Sequence, residues 1–239
     1  MPPLIITEIV RRSEQGITRP FFCHADDGSA YVVKTANAGN KALIAEWLAG
    51  SLGRELGLPI PPFAIAELPP AMLAVLSSDW RRDWGTGPVF ASRTVDQVVE
   101  FRFSDAARVP PDQQALLLLF DAWIGNGDRT LGIKGGNPNL LWSDVDSSLH
   151  VIDHNVAFED SLESVKAEHV FASAISHWDL LFPCIWSPRL VAAAAKLELF
   201  WSQLPDEWVE GAAGFISLET VKERLRLLND PADTAWGTL

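Results

Sequence analysis

The sequence predicts an α+β protein with two lobes: a strand-rich N-terminal lobe that contains one helix, and a mainly helical C-terminal lobe. Short β-type segments dominate the first third of the chain, and an Asp-Asp-Gly-Ser turn at residues 26–29 joins two of them into a hairpin. Helical spacing of apolar residues occurs once in this part, at residues 40–56, and is the rule beyond residue 161. We place the lobe boundary so that the lobes comprise residues 1–92 and 93–239.

The elements of the N-terminal lobe follow from local signals. Asn40 is a suitable cap for the helix. Ile44, Leu48 and Leu52 recur along this helix every four residues and form its apolar face. Gly57 and the prolines after it end the helix near residue 56. The strand candidates are residues 4–10, 21–25, 30–34 and 88–95, with two shorter apolar runs at residues 64–68 and 72–76.

In the C-terminal lobe, two prolines and Asp112 begin a helix that reaches about Trp123. A polar, glycine-rich loop follows at residues 125–137, and then a small hairpin with strands at residues 139–142 and 149–152. The clearest later helices are residues 189–204 and 218–228.

The composition excludes several classes of function. With 48% hydrophobic residues, 10 Trp and 12 Phe, the 239-residue chain can build a core, which excludes general disorder. Thirty-one acidic side chains against 19 basic ones give a net charge of −12 without a basic block, so we expect no nucleic-acid partner. Cys23 and Cys184 are too few and too far apart for a disulfide framework or a zinc site.

The sequence also predicts where the protein works. No apolar run approaches the roughly 18 residues that a membrane-spanning helix needs. The N-terminus lacks the basic and apolar regions of a signal peptide. We therefore expect a cytoplasmic protein without a membrane partner.

Three side chains with oxygen ligands lie close to the small hairpin. Asp128 is in the glycine-rich loop, Asn139 begins the first strand, and Asp153 directly follows the second. Antiparallel pairing brings Asn139 and Asp153 to the same end of the hairpin. Mg²⁺ takes only one or two protein carboxylates when phosphates complete its shell, so this set matches the pattern of phosphoryl transfer. The alternative for Asp128 is a turn aspartate that hydrogen-bonds its own backbone.

These residues stand in motifs that resemble the HipA-like kinases and, more distantly, the phosphatidylinositol kinases, which share the bilobal protein-kinase-like fold. Gly-Asp-Arg at residues 127–129 and Asn-Pro-Asn-Leu-Leu at residues 137–141 resemble the family's catalytic loop. Val-Ile-Asp-His at residues 151–154 resembles its metal-binding motif. The catalytic loop is a few residues longer than in the family, so the register of Asn137 and Asn139 is open. We assign the metal ligand to Asn139 because it directly precedes the apolar strand.

The resemblance extends upstream and implies a nucleotide lysine. Tyr-Val-Val-Lys at residues 31–34 resembles the strand that carries this lysine, which makes Lys34 the candidate. Glu46, on the following helix, matches its ion-pair partner, with Glu55 on the same helix as the competing choice. An exposed edge-strand lysine is the alternative for Lys34.

The resemblance also implies the segments that contact the rest of the nucleotide. Phe90, Ala91 and Ser92 resemble the hinge against which the adenine lies. The loop that covers the phosphates falls between the first two strands, where Ser13 and Gly16 are the candidate contacts.

The resemblance therefore implies a phosphotransferase that uses ATP and Mg²⁺. Asp128 would orient the acceptor hydroxyl and take its proton, while Asn139 and Asp153 would hold the metal. By family analogy the expected acceptor is a Ser or Thr hydroxyl of a protein. Two other functions stay open: a nucleotide-binding pseudokinase that acts as a regulatory or interaction module, and a nucleotidyl transferase on the same fold.

Overall fold

The computed structural model describes residues 3–14, 18–132, 135–179 and 181–237. Five strands build the N-terminal part: β1 (Leu4–Arg12), β2 (Phe21–Ala25), β3 (Ala30–Lys34), β4 (Phe63–Glu67) and β5 (Val89–Arg93). They form a closed barrel in the order β1-β2-β3-β5-β4, and a parallel pairing of β1 with β4 completes the ring. The predicted hairpin is confirmed as β2 and β3, and Gly28 adopts the positive φ of 78° that its turn requires.

Side chains alternate between the two faces of the barrel strands. Phe22 pairs with Val32, and Lys34 pairs with Phe90, so these four side chains share the outer face of β2, β3 and β5. The side chains of the opposite face fill the barrel interior; they include Ile6, Phe21, Cys23, Val33, Ala66 and Ala91.

Helix α1 (Asn40–Glu55) connects β3 to β4 and matches the predicted helix. The predicted cap is wrong by one residue: Gly39 is the cap, and Asn40 is the first helical residue, with its side-chain amide donating to the Glu207 carbonyl at 3.2 Å. A short 3₁₀ helix (Ala36–Ala38) precedes α1. After α1, the chain turns at Gly57, where φ is 85°.

Between β4 and β5 the chain forms two short helices that the sequence does not predict, α2 (Pro70–Val75) and α3 (Ser78–Trp84). Pro70 occupies the first turn of α2, and the Ser77 hydroxyl caps α3 by accepting a hydrogen bond from the Trp80 amide. Helices of six or seven residues are too short to show a clear apolar period, which is why the sequence pattern does not reveal them.

The C-terminal part begins with a three-stranded sheet around the predicted hairpin. Its strands are β6 (Val98–Glu100), β9 (Leu140–Ser143) and β10 (Ser148–Val151), in the order β10-β9-β6. Between β6 and β9 the chain forms a 3₁₀ helix (Phe103–Arg108), helix α4 (Pro111–Ile124) and a second hairpin of β7 (Thr130–Gly132) and β8 (Gly135–Asn137). The predicted glycine-rich loop is therefore partly a hairpin.

Helices make up the remainder of the described chain. They are α5 (Leu162–Glu168), α6 (Phe182–Ala194), α7 (Leu197–Trp201), α8 (Asp206–Gly211) and α9 (Leu218–Leu225), with 3₁₀ turns at Ala172–His177 and Thr234–Gly237. The predicted helix at residues 189–204 is divided into α6 and α7, and α6 begins before the predicted start because Pro183 lies in its first turn. Within the described ranges, no helix combines the length and apolar character that crossing a membrane requires.

Helix α1 shares its hydrophobic core with the C-terminal helices and not with the barrel interior. Leu48 and Leu52 belong to the same buried cluster as Phe120 of α4, Leu197 of α7 and Trp208 of α8. This core spans both sides of the predicted boundary at residue 92, and the division into residues 1–92 and 93–239 stays a prediction. The packing fixes α1 against the part of the molecule that carries the catalytic-loop motif.

Candidate active site

One cavity of about 520 Å³ lies between the outer face of the barrel and the C-terminal sheet. Its barrel wall comes from the strand face defined above: Phe22, Val32, Lys34, Phe90 and Ser92. Leu141 and Ile152 line the opposite wall, and Asp153 lies at the same end as Lys34. The cavity thus has apolar walls and one charged end, which suits a ligand with a planar apolar part and an anionic part.

Lys34 holds two carboxylates at the charged end of the cavity. Its ammonium donates to Glu46 Oε1, and to Asp153 Oδ1 at 2.6 Å. Lys34 and Glu46 are both buried, whereas the Asp153 side chain is 29% exposed toward the cavity. Strand β3 directs Lys34 to this face, and α1 brings Glu46 beneath it. The competing choice, Glu55, pairs instead with Lys196 at the far end of α1.

The electrostatics of this cluster keep Lys34 and Glu46 charged. Burial opposes the charge on Lys34, but the carboxylates of Glu46 and Asp153 outweigh burial and hold the lysine pKa above its ordinary value. Burial likewise opposes the charge on Glu46, and the neighbouring Lys34 ammonium more than compensates, so the pKa of Glu46 lies well below its ordinary value.

Asp128 is held by two amides of its own loop. Asn137 Nδ2 donates to Asp128 Oδ1 and Asn139 Nδ2 donates to Asp128 Oδ2, both at 3.1 Å. The extra residues of the loop lie in the β7–β8 hairpin, which returns the chain so that both asparagines reach the aspartate. Both alternatives of the open register therefore contact Asp128, and Asn137 also lines the cavity.

The surroundings of Asp128 favour its protonated form relative to a free aspartate. Burial raises its pKa, and the nearby charge of Asp153 raises it further, against the opposing hydrogen bonds of the two amides and the charge of Arg129. A carboxylate with a raised pKa is a better proton acceptor, as a general base requires.

Asn139 and Asp153 both adopt left-handed backbone conformations, with φ of 48° and 59°. The Ile152 amide donates to the Asn139 carbonyl at 3.1 Å, so the two residues lie side by side at the end of the hairpin, as the sequence predicts. Non-glycine residues rarely adopt such conformations, and they concentrate at functional sites.

The donors at this end of the cavity fit Mg²⁺. The Asn139 side-chain nitrogen donates to Asp128, so the Oδ1 atom of Asn139 is available as a metal ligand. Asp153 supplies a carboxylate. In the part of the chain that the structure describes, no three His, Cys, Asp or Glu side chains are grouped as a metal site. Mg²⁺ does not need such a group, because it binds through one or two carboxylates together with phosphate and water.

The remaining predicted contacts differ in position. Phe90 and Ser92 line the cavity, whereas Ala91 points into the barrel interior, so its side chain is not available to a ligand there. Ser13 lines the cavity. Gly16 lies outside the described residues.

Several cavity residues are not among the sequence candidates. Phe22 and Val32 could have been found from strand alternation, since they share a face with Lys34. Thr94, directly after β5, and Glu100 of β6 also line the cavity, and no pattern in the sequence marks either of them.

Comparisons with known proteins bear on the family and the fold of the chain. A family model described as HipA-like kinase matches residues 6–234. The crystal structure of a proinflammatory kinase, CtkA of Helicobacter pylori, matches at a TM-score of 0.53 and 13% identity, over 95% of this chain and 93% of that chain. A MAP kinase of Leishmania major covers 99% of this chain and 79% of its own, with 10% identity and a TM-score of only 0.33.

No curated protein matches the sequence. The likeness to the Helicobacter kinase establishes a kinase-like fold. Since the family model spans nearly the whole sequence, the chain belongs to the HipA-like kinases.

Proposed function

We propose that this HipA-like kinase transfers the γ-phosphoryl group of ATP, with Mg²⁺, to a Ser or Thr hydroxyl of a protein. One observation carries the proposal: Lys34, Asp153 and the Asn137–Asp128 pair meet at the charged end of a single cavity with apolar walls. This arrangement can bind a nucleotide, neutralise its phosphates and place a base beside the transferred group.

The cavity supports a nucleotide orientation with the base deep and the phosphates at the charged end. The adenine would lie between Val32 and Leu141, near the backbone of residues 90–95. Lys34 would exchange its contact with Asp153 for the α- and β-phosphates and keep Glu46 as its partner. Ser13 and Gly16 would belong to the loop that covers the phosphates.

Asn139 and Asp153 would hold Mg²⁺. When bound, the metal supplies positive charge that neutralises the phosphate oxygens and the leaving group. The protein's own contribution is to keep the two ligand side chains adjacent at the end of the β9–β10 hairpin.

Asp128 would serve the acceptor. Its carboxylate orients the hydroxyl and takes its proton while the hydroxyl oxygen bonds to the γ-phosphorus and the bond from that phosphorus to the β–γ bridging oxygen breaks, releasing ADP. The two amides that hold Asp128 leave each oxygen with a free lone pair for this proton.

Two rival functions predict different labelling. A pseudokinase binds ATP without transferring any part of it, and a nucleotidyl transferase moves the α-phosphate with the nucleoside. Incubating the protein and a cell lysate with γ-labelled or α-labelled ATP separates the three. We expect label from γ-labelled ATP only, on phosphoserine or phosphothreonine, and transfer of the α-label would contradict the proposal.

The site assignments are tested by two matched carboxylate-to-amide variants. Asp128→Asn should lower transfer by about 10²-fold or more, because it removes the proton acceptor, and should keep the thermal shift that ATP with Mg²⁺ produces. Asp153→Asn should lose most of the Mg²⁺-dependent part of that shift, because it removes a charged metal ligand. Wild-type shift and transfer in both variants would place the active site elsewhere.

A further inference from the structure

We propose that Arg129 is a positioning residue that fixes the backbone of both metal-ligating positions, and that Asp121 and His169 hold Arg129 in place. The proposal rests on the proposed function, since the ligand roles of Asn139 and Asp153 belong to it. Arg129, Asp121 and His169 are almost completely buried, and none of them lines the cavity.

The guanidinium of Arg129 joins the two strands at the ligand end of the hairpin. Its Nη1 donates to the carbonyls of Asn139 at 2.6 Å and of Pro138 and Ile152 at 3.2 Å each. Pro138 and Asn139 end the catalytic loop, and Ile152 is the residue before Asp153. One nitrogen therefore contacts the main chain at, or directly beside, each proposed ligand.

These contacts lie at residues whose backbone conformations are intrinsically unfavourable. Asn139 and Asp153 have positive φ values, and such conformations persist only when the surrounding structure enforces them. The carbonyls that Arg129 binds belong to Asn139 itself and to the residue before Asp153. Loss of the guanidinium would therefore let both ligand side chains move, although neither touches Arg129.

Asp121 fixes the other side of the guanidinium. Arg129 Nε donates to Asp121 Oδ2 at 2.6 Å, and Nη2 donates to Oδ1 at 3.4 Å, which is the two-point pairing that only arginine can make. Asp121 also accepts a hydrogen bond from Asn126 at 2.9 Å. A buried pair of this kind cannot separate without leaving an uncompensated charge in the interior.

His169 completes the cluster from a distant part of the chain. Its Nε2 lies 2.9 Å from Asp121 Oδ2, and its Nδ1 accepts a hydrogen bond from the Phe171 amide at 3.0 Å. The second bond fixes the tautomer, so Nε2 carries the hydrogen and donates to Asp121. The segment after α5 thereby orients the carboxylate that orients Arg129.

The test compares Arg129→Lys with Arg224→Lys. Arg224 is a matched control, because its guanidinium also binds main-chain carbonyls, those of Trp123 and Ala122 at the end of α4, away from the hairpin. Lysine keeps the positive charge but cannot make the two-point hydrogen bonding of a guanidinium. In Arg129→Lys we expect the Mg²⁺ concentration that half-saturates the ATP-induced thermal shift to rise by about 10-fold or more. The shift with ATP and EDTA should stay unchanged, and Arg224→Lys should keep the parent's Mg²⁺ dependence.

A ligand-free measurement separates this proposal from the proposed function. Hydrogen exchange at the Ile152 amide, which donates to the Asn139 carbonyl, should accelerate by roughly 5- to 10-fold in Arg129→Lys, with β3 amides as the reference for global opening. If the parent does not respond to ATP and Mg²⁺, the proposed function fails, while faster exchange at Ile152 still supports the positioning role.

A folded Arg129→Lys protein with the parent's exchange at Ile152 and the parent's Mg²⁺ dependence would overturn the proposal. If Arg129→Lys does not fold, His169→Gln replaces it, because it keeps the Asp121–Arg129 pair and removes the acceptor of the Phe171 amide. That variant should show the same exchange effect in weaker form, and unchanged exchange at Ile152 would again contradict the proposal.

Discussion

Lys34 is a single cation between two carboxylates. This excess of negative charge bears on whether the site would bind free ATP or ATP with its metal. Glu46, Asp153 and Lys34 together carry one net negative charge in a partly buried space. Under the proposed function, free ATP would bring further negative charge, whereas Mg²⁺ at Asp153 would free Lys34 for the phosphates. We therefore expect the cluster to favour ATP that carries its metal over free ATP.

His169 gives the buried cluster a dependence on pH. Burial lowers the pKa of His169, and the charge of Arg129 acts in the same direction, against the hydrogen bond to Asp121. Because Arg129 already neutralises Asp121, a proton on His169 would leave a net positive charge in the interior and break the bond from the Phe171 amide. The folded protein thus keeps this histidine neutral.

We expect the free energy of unfolding to fall less steeply between pH 7 and pH 5 in His169→Gln than in the parent. With a folded-state pKa below the unfolded value of about 6.5, His169 stabilises the fold fully above that pH, and this contribution is lost as the pH falls. The slope for one proton is at most about 1.4 kcal/mol per pH unit. Urea unfolding of parent and variant between pH 7 and pH 5 measures it. Burial also lowers the pKa of His150, which therefore contributes in both proteins, and an unchanged slope in the variant would contradict the prediction.

For single residues, the sequence predicts the site side chains that belong to a recognisable motif. It misses the side chains that only tertiary packing brings together. Lys34 ends β3 and Asp153 lies two residues after β10, so the order and pairing of the strands already predict that the two side chains meet. Asp121 is an interior helix residue without a motif, and His169 lies 48 residues farther along the chain. Only tertiary packing brings these two together around Arg129.

Helix α1 connects Lys34, the proposed nucleotide lysine, to the C-terminal helices. Three polar contacts fasten it to the C-terminal helices, besides its shared core. Asn40 at its start donates to the Glu207 carbonyl, the indole of Trp47 donates to the Phe200 carbonyl at 3.1 Å, and Glu55 at its end pairs with Lys196. Glu46 lies between these contacts, so they hold the part of α1 that places Glu46 against Lys34.

We expect Trp47→Phe to lower the free energy of unfolding by about 1 kcal/mol, because it keeps an aromatic ring against Phe63 and removes one partly buried hydrogen bond. Lys196→Met is the comparison, and it should cost less, since its ion pair is largely exposed to solvent. Urea unfolding ranks the two variants. A larger loss in Lys196→Met would show that surface charge, and not the buried contact, fastens α1.

Elements whose apolar residues recur at a regular spacing are predictable from this sequence, whereas the glycine-rich hairpin is not. Helix α1 and the β2–β3 hairpin agree with the sequence within a residue or two, since spacing and turn residues point the same way. The sequence predicts a loop where the β7–β8 hairpin lies, because the glycines of this segment carry no strand signal. In that hairpin a Cβ at Gly136 would lie 2.4 Å from the Thr130 carbonyl, so only glycine fits the close approach.

On the scale of the whole molecule, the negative charge is strongly asymmetric. Residues 1–92 carry nine acidic and eight basic side chains, so 11 of the 12 net negative charges belong to residues 93–239. This second part also holds Asp128, the proposed site of the acceptor hydroxyl. The field on the acceptor side is therefore negative, and it attracts cationic segments while it repels anionic ones.

We expect a protein acceptor whose hydroxyl lies among basic residues. Two serine peptides of equal length, one flanked by Lys and Arg and the other by Asp and Glu, test this by their kcat/KM values. The basic peptide should be phosphorylated about 10-fold faster or more at low ionic strength, because opposite charge increases encounter. The ratio should fall steeply as salt rises, since the screening length shrinks from about 10 Å at 0.1 M to about 3 Å at 1 M. A preference for the acidic peptide, or a ratio that salt does not change, would mean that local contacts and not the net field select the acceptor.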